Sequence, residues 1–133
     1  MADPKDDEPT WLTKKFVLSL HAETLHQFGG TTGLRDEGRL EGALHRPRNL
    51  YAYADPSRFE LAAAYCHGIV RNHPFVDGNK RTGLLAAWAF LFRNGYRLDP
   101  DEAEMVQIVE RVAAGEVSEE ELAQWIEQNT DPR

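Results

Sequence analysis

HPFVDGNKRTGLLAAWAFLFRNG, residues 73–95, joins a polar, glycine-containing loop to a long apolar run. Two punctuation marks frame it. Asn72-His73-Pro74 stops any helix that precedes it, because the proline ring crowds the backbone before it. Asn94-Gly95 supplies a C-terminal cap. Between them a helix is expected to begin near Gly78-Asn79 and run to Asn94-Gly95. From Leu84 to Phe92 it is apolar nearly all round, the pattern of a central buried helix.

Working outward, the flanks read as more helices. Phe16, Val17, Leu20, Leu25 and Phe28 form a helical stripe closed by Gly29-Gly30. Thr31 to Arg35 is a loop. Asp36 caps a short helix carrying Leu40, Ala43 and Leu44, which is expected to end before Pro47. Arg46 to Ala54 is irregular, basic and tyrosine-bearing, and reads as an extended flap. Asp55-Pro56 is a start signal, an N-cap with proline at the first helical position. Phe59, Ala62, Ala63, Cys66, Ile69 and Val70 then share a face. Asp99-Pro100 repeats the start signal ahead of Met105, Ile108, Val109 and Val112. Ser118 with Glu121 is a capping box, opening a last helix with Leu122, Trp125 and Ile126 inward. The fold class is therefore all-α: a compact bundle of about six helices, with little or no sheet.

A chain of 133 residues is one domain by size and long enough to bury a single core. We expect a flexible arm over 1–10 and one catalytic domain over 11–133. The net charge of −7 argues against non-specific nucleic-acid binding or an anionic membrane surface. The single cysteine, Cys66, excludes an intramolecular disulfide. The first ten residues lack the basic start and apolar run of a signal peptide, and no apolar run reaches the length of a membrane span. A cytoplasmic protein is the expectation.

The chemistry lies in His73 to Arg81. The first turn of a helix carries free N–H groups and the positive end of its dipole. Gly78 lets the backbone approach a ligand closely, and Asn79, Lys80 and Arg81 add donors and two cations. Together they make an anion site suited to phosphate. Asp77 is a carboxylate beside that site, one protein ligand for magnesium. His73 precedes proline and is expected to take extended geometry, lifting its ring out of the preceding helix. Imidazole suits the role of general base toward a hydroxyl near neutral pH. A base, a metal ligand, an anion nest and two cations suit phosphoryl or nucleotidyl transfer.

His73 through Arg81 matches the H-x-F-x-D/E-G/A-N-G/K-R motif and so resembles the Fic/Doc family. Phe28-Gly29-Gly30, Gly33-Leu34-Arg35-Asp36, Leu40 to Pro47 and Phe90 to Gly95 are similar to the Doc (death-on-curing) branch. The resemblance covers most of Leu12 to Gln128. It implies that His73 takes the target's hydroxyl proton, Phe75 anchors the loop and Asp77 binds magnesium. It implies that Gly78 and Asn79 hold nucleotide phosphates, that Lys80 and Arg81 stabilise phosphate charge, and that the flap aligns the target.

Family members that transfer AMP usually have glycine where this chain has Lys80, and often a second arginine where it has Leu84. Both departures favour the kinase-like Doc reading, in which ATP phosphorylates a threonine of elongation factor Tu and stops translation. Gly78 points the other way, toward protein adenylyltransferases. The family's inhibitory pattern, S/T-x-x-x-E-G/N, has no clean copy: Ser19 and Glu23 have the spacing but Thr24 follows. The resemblance thus implies a separate, Phd-like antitoxin chain.

Taken singly, each residue has a plainer reading. Lys80 and Arg81 alone are solvated charges, and Asp77 alone is a turn residue. His21, His26, His45 and His67 show no ligand-like spacing and receive no site role. Cys66, Trp88 and Trp125 read as core, while Arg46, Arg48 and Arg58 read equally as a partner patch or as solubility charges. A silent phosphate-binding module and a DNA-binding regulator are the other functional classes. The complete His73, Asp77 and Asn79 set opposes the first, and the acidic charge opposes the second.

Overall fold

The computed structural model describes residues 8–133. Among them the chain forms α1 (Lys14–Phe28), α2 (Glu37–Tyr53), α3 (Arg58–Asn72), α4 (Asn79–Arg93), β1 (Tyr96–Leu98), α5 (Glu102–Ala113), α6 (Glu119–Gln128) and β2 (Thr130–Pro132). The all-α expectation of six helices holds. The only sheet among the described residues is the short antiparallel pair β1–β2, with Arg97 opposite Asp131.

The central helix is α3, not α4. Leu61 to Cys66 are buried without interruption, and Ile69 and Val70 continue the core. α3 meets α2, α4, α5 and α6. Its small residues permit this crowding. A methyl at Gly83 on α4 would come within 2.8 Å of Val70 Cγ2 and 3.0 Å of the Cys66 carbonyl, so the two backbones nearly touch there. α4 packs against α3 along one face. Ala86, Ala87, Phe90 and Leu91 face inward, while Leu85 and Trp88 are exposed. Trp88, expected in the core, stacks on Phe92 at the surface. Trp125 packs against the core while only partly buried.

Capping sets most boundaries. Thr13, Asp36, Ser57, Asp101 and Ser118 each accept a backbone N–H of the first turn. Ser57 and Ser118 form full capping boxes with Glu60 and Glu121. Two expected starts therefore move by two residues, from Asp55 to Ser57 and from Asp99 to Asp101. In both places the true cap lies just beyond the proline and has its own side-chain bond.

The flap expected over Arg46 to Ala54 is helical. α2 continues through Pro47, which is buried. A mid-helix proline forfeits one hydrogen bond and costs about 3 kcal/mol. Burial offsets it: Leu40, Ala43, Pro47, Leu50 and Tyr51 hold helical spacing against the core. Arg46 fixes the same turn by a two-pronged contact with Glu119 of α6, at 2.8 and 3.2 Å, and by donating to Tyr53 Oη. Arg48 lies over the Trp11 ring. Two members of the basic patch are thus engaged within the fold.

The expected arm over 1–10 divides. Residues 1–7 lie outside the described residues. Pro9 is buried, and the Thr10 backbone exchanges two hydrogen bonds with the Asn94 side chain. Leu12 N–H donates to the buried Tyr65 hydroxyl, so the entry to α1 is fixed to the centre of α3.

Candidate active site

The motif forms the connection between α3 and α4, and it is clamped from three sides. His73 ends α3 with φ 53° and ψ 55°, and its N–H donates to the Ile69 carbonyl at 3.1 Å. This corrects the extended geometry expected before Pro74. Proline disfavours right-handed helix at the preceding residue, although Arg46 takes it before Pro47 within α2. At His73 the left-handed turn avoids that crowding and still caps the helix. It is the one described non-glycine residue with positive φ. Such a conformation costs a side-chain-bearing residue about 1–2 kcal/mol, and strain of this kind gathers at functional sites. His73 stands at the end of the helix and is exposed.

The second clamp is Asn79. Its carboxamide accepts from Phe75 N–H and donates to Phe75 C=O, both at 3.0 Å, and the residue is 4% exposed. The side chain therefore holds the loop, and an anion would meet Asn79 through its backbone N–H. Gly78, at φ 80°, precedes α4 and offers no side-chain cap. The first-turn N–H groups of α4 accordingly have no side-chain cap.

The third clamp comes from the loop after α1, read from sequence only as a connection. Leu34 pairs with Phe75 as an isolated antiparallel bridge. Arg35 and Asp36 donate to Pro74 O, and Val76 donates to Gly33 O. The extended segment facing the motif is thus Gly33–Arg35, over ten residues before the expected flap. In the same loop, Thr31 N–H donates to Asp77 Oδ2 at 3.2 Å, while Asp77 Oδ1 accepts from Gly78 N–H at 2.8 Å. Gly30 passes so close that a methyl there would stand 2.7 Å from Asp77 Oδ2.

The two cations diverge. Lys80 Nζ meets both carboxylate oxygens of Glu110 on α5 at 3.0 Å. The Arg81 guanidinium lies 4.0 Å over the exposed Phe28 ring at the end of α1. The structure therefore brings His73, Asp77 and the start of α4 together on one connection. It leaves Lys80 and Arg81 on either side of that helix start, held by α5 and α1.

Sequence reasoning missed His21. It is 6% exposed, stacks on Phe75 with centroids 3.7 Å apart, and places Nε2 2.8 Å from the Asp77 carbonyl oxygen. Its spacing of four from Val17 and three from Thr24, both buried, was a legible sign that it faces inward. Ser19 and Glu23 lie on the exposed side of the same helix. A groove of about 490 Å³ opens beside the stack, lined by Leu18, His21, Leu25, Leu34 and Phe75 among others.

A profile of the Fic/DOC family matches residues 11–91, which span α1 to α4 and the whole clamped loop. The chain belongs to the Fic/DOC family. It is 35% identical to "Protein kinase doc" of Escherichia phage P1 over 108 residues, 80% of this chain and 85% of that protein. It is 45% identical to "Toxin Doc" of Mycolicibacterium smegmatis over 76 residues, 56% of this chain and 58% of that protein. Within this Fic/DOC chain, the motif identified in the sequence and the strained loop seen in the fold are the same segment. No helix among the described residues is long and apolar enough to cross a membrane.

Proposed function

We propose that this chain is a Doc-like toxin, a Ser/Thr protein kinase-like enzyme that moves the terminal phosphate of ATP to a protein hydroxyl. The observation that carries this reading is the His73 turn. It holds an exposed imidazole beside an uncapped helix start and a pinned carboxylate. The names of the two relatives, a protein kinase and a toxin, point the same way.

The donor set fits magnesium bound chiefly by phosphate and water. In this reading Asp77 would supply a single carboxylate ligand. Each of its oxygens accepts a backbone hydrogen bond and keeps a lone pair for a further partner. Magnesium characteristically takes one or two carboxylates with substrate phosphates and waters. When bound, it would neutralise charge on the phosphates.

The residues of the chain would do the rest. N–H groups at the start of α4 orient the phosphate oxygens, with Gly78 allowing close approach. Lys80 and Arg81 leave their present partners, exposed contacts of little net stability, to counter charge on the transferred group. His73 accepts the proton of the attacking hydroxyl. The new bond joins that oxygen to the terminal phosphorus. The bond that breaks links this phosphorus to the bridging oxygen, and ADP departs with that oxygen.

The target in this reading is a threonine of elongation factor Tu in the cytoplasm, and translation stops. A separate Phd-like antitoxin would restrain the enzyme, and the apolar groove between α1 and the 30–34 loop is a surface that an antitoxin segment folding on contact could cover. Intact mass spectrometry of elongation factor Tu, after incubation with this protein, ATP and magnesium, tests the proposal. A phosphate-sized gain that disappears with His73→Ala is expected. A nucleotide-monophosphate-sized gain would establish adenylyl transfer instead, the reading that Gly78 favours. No gain would remove elongation factor Tu as the target.

A further inference from the structure

We propose that His21 is a positioning residue that sets the main chain of Asp77 and through it the direction of the carboxylate. The inference rests on the reading of Asp77 as the magnesium ligand. The geometry is specific. The imidazole lies nearly parallel to Phe75, at 7° and 3.7 Å between centroids. Its Nε2 is 2.8 Å from the Asp77 carbonyl oxygen. A carbonyl oxygen only accepts, so Nε2 carries the proton. The same ring edge lies against Gly78, where a methyl would meet Cδ2 at 3.5 Å and Nε2 at 3.6 Å. One side chain of α1 therefore supports Phe75, Asp77 and Gly78 together.

The other clamps act elsewhere. Asn79 and the Gly33–Asp36 segment grip the backbone of Pro74, Phe75 and Val76. Among the described residues, the hydrogen bond that reaches the Asp77 main-chain oxygen is that of His21. The Asp77 carboxylate is then directed by Gly78 N–H and Thr31 N–H, each of which depends on where the Asp77 backbone stands.

A buried histidine is often a satisfied core residue and nothing more. Against that reading, leucine or phenylalanine would fill the space beside Phe75 without burying a polar ring. The side-chain hydrogen bond of His21 goes to the residue that, in this reading, carries the metal-binding carboxylate. Groups that orient a metal ligand change metal affinity or activity about 10–100-fold when removed.

Two substitutions separate the ring from its donor. His21→Phe keeps a flat ring against Phe75 and loses the N–H. His21→Gln keeps an amide N–H within plausible reach and loses the stack. With the full chain, His21→Phe is expected to lower kcat for phosphate transfer about 10–100-fold and to raise the half-saturating magnesium concentration. Its KM for the protein target should remain unchanged. His21→Gln should recover part of kcat.

Amide hydrogen exchange supplies a readout free of activity. Exchange at Thr31 and Gly78 should accelerate in His21→Phe and not at α6 amides, with the melting temperature little altered. Wild-type kcat together with wild-type exchange at Thr31 and Gly78 in His21→Phe would overturn the proposal. Nitrogen-15 spectra of the unaltered protein decide it even if a variant fails to fold: a His21 ring protonated at Nδ1 alone would overturn it as well. If the wild type transfers no phosphate, the kinase reading fails, while the exchange and tautomer measurements still judge the role of His21.

Discussion

Replacing Asn79 with alanine removes two hydrogen bonds, each 3.0 Å long, from a residue only 4% exposed. The partners are the N–H and C=O of Phe75, which is 1% exposed, so water does not readily replace the lost amide. A net hydrogen bond contributes about 1 kcal/mol, and an orphaned buried group costs about 1–3 kcal/mol. Relaxation of the loop recovers some of this, and we expect a loss of about 2–4 kcal/mol. With a urea m-value of about 1.5 kcal/mol per molar, a loss near the middle of that range moves the midpoint down by about 2 M. The assay is urea unfolding followed by tryptophan fluorescence, in the absence of nucleotide. Asn79→Asp keeps the acceptor for Phe75 N–H and loses the donor to Phe75 C=O, so a substantial loss is expected there too. If Asn79→Ala unfolds within about 0.5 kcal/mol of the wild type, the amide does not hold the loop. Its value would then lie in contacts to a ligand, and the loss would appear only in nucleotide binding.

Three further outcomes follow from particular contacts. Gly83→Ala puts a methyl 2.8 Å from Val70 Cγ2 and 3.0 Å from the Cys66 carbonyl; overpacking of about 1–3 kcal/mol should lower the melting temperature, and an unchanged value would show that α3 and α4 are less closely seated. His73→Gly should be more stable than His73→Ala by about 1 kcal/mol, because glycine takes the left-handed turn without a Cβ; equal stability in denaturant titrations would remove the strain argument. Burial pushes the Cys66 thiol up to about 12, so at pH 8 the folded protein holds almost no thiolate there. Alkylation followed by mass spectrometry should therefore track global unfolding, and rapid labelling under native conditions would contradict the packing around α3.

The clamped loop also explains why so little of the site can be read from pairwise rules. Lys80 and Arg81 are adjacent in sequence and on a helix, so they point to different flanks. One reaches Glu110, thirty residues later, and the other reaches Phe28, more than fifty residues earlier. Nothing local announces either partner. His21 and Asp77 are separated by 56 residues, and their contact depends on how α1 docks against the start of α4. Such distant pairs become neighbours only once the helices are stacked.

The sequence by itself determined the helical class, the inward faces of α3, α5 and α6, the capping box at Ser118-Glu121, and the segment that matches the family motif. These depend on spacing within one or two turns or on a contiguous motif, and both are local properties of a chain. The tertiary structure decided which helix is central, carried α2 through Pro47 and put the extended segment at Gly33–Arg35. It also turned His73 left-handed and brought the Asn79 side chain onto Phe75 and the His21 ring onto Phe75 and Asp77. Each of these outcomes is a competition between a local preference and burial against another element. Burial prevailed at Pro47 because a buried apolar face gains more than one missing hydrogen bond loses, a balance that exists only after the chain has packed.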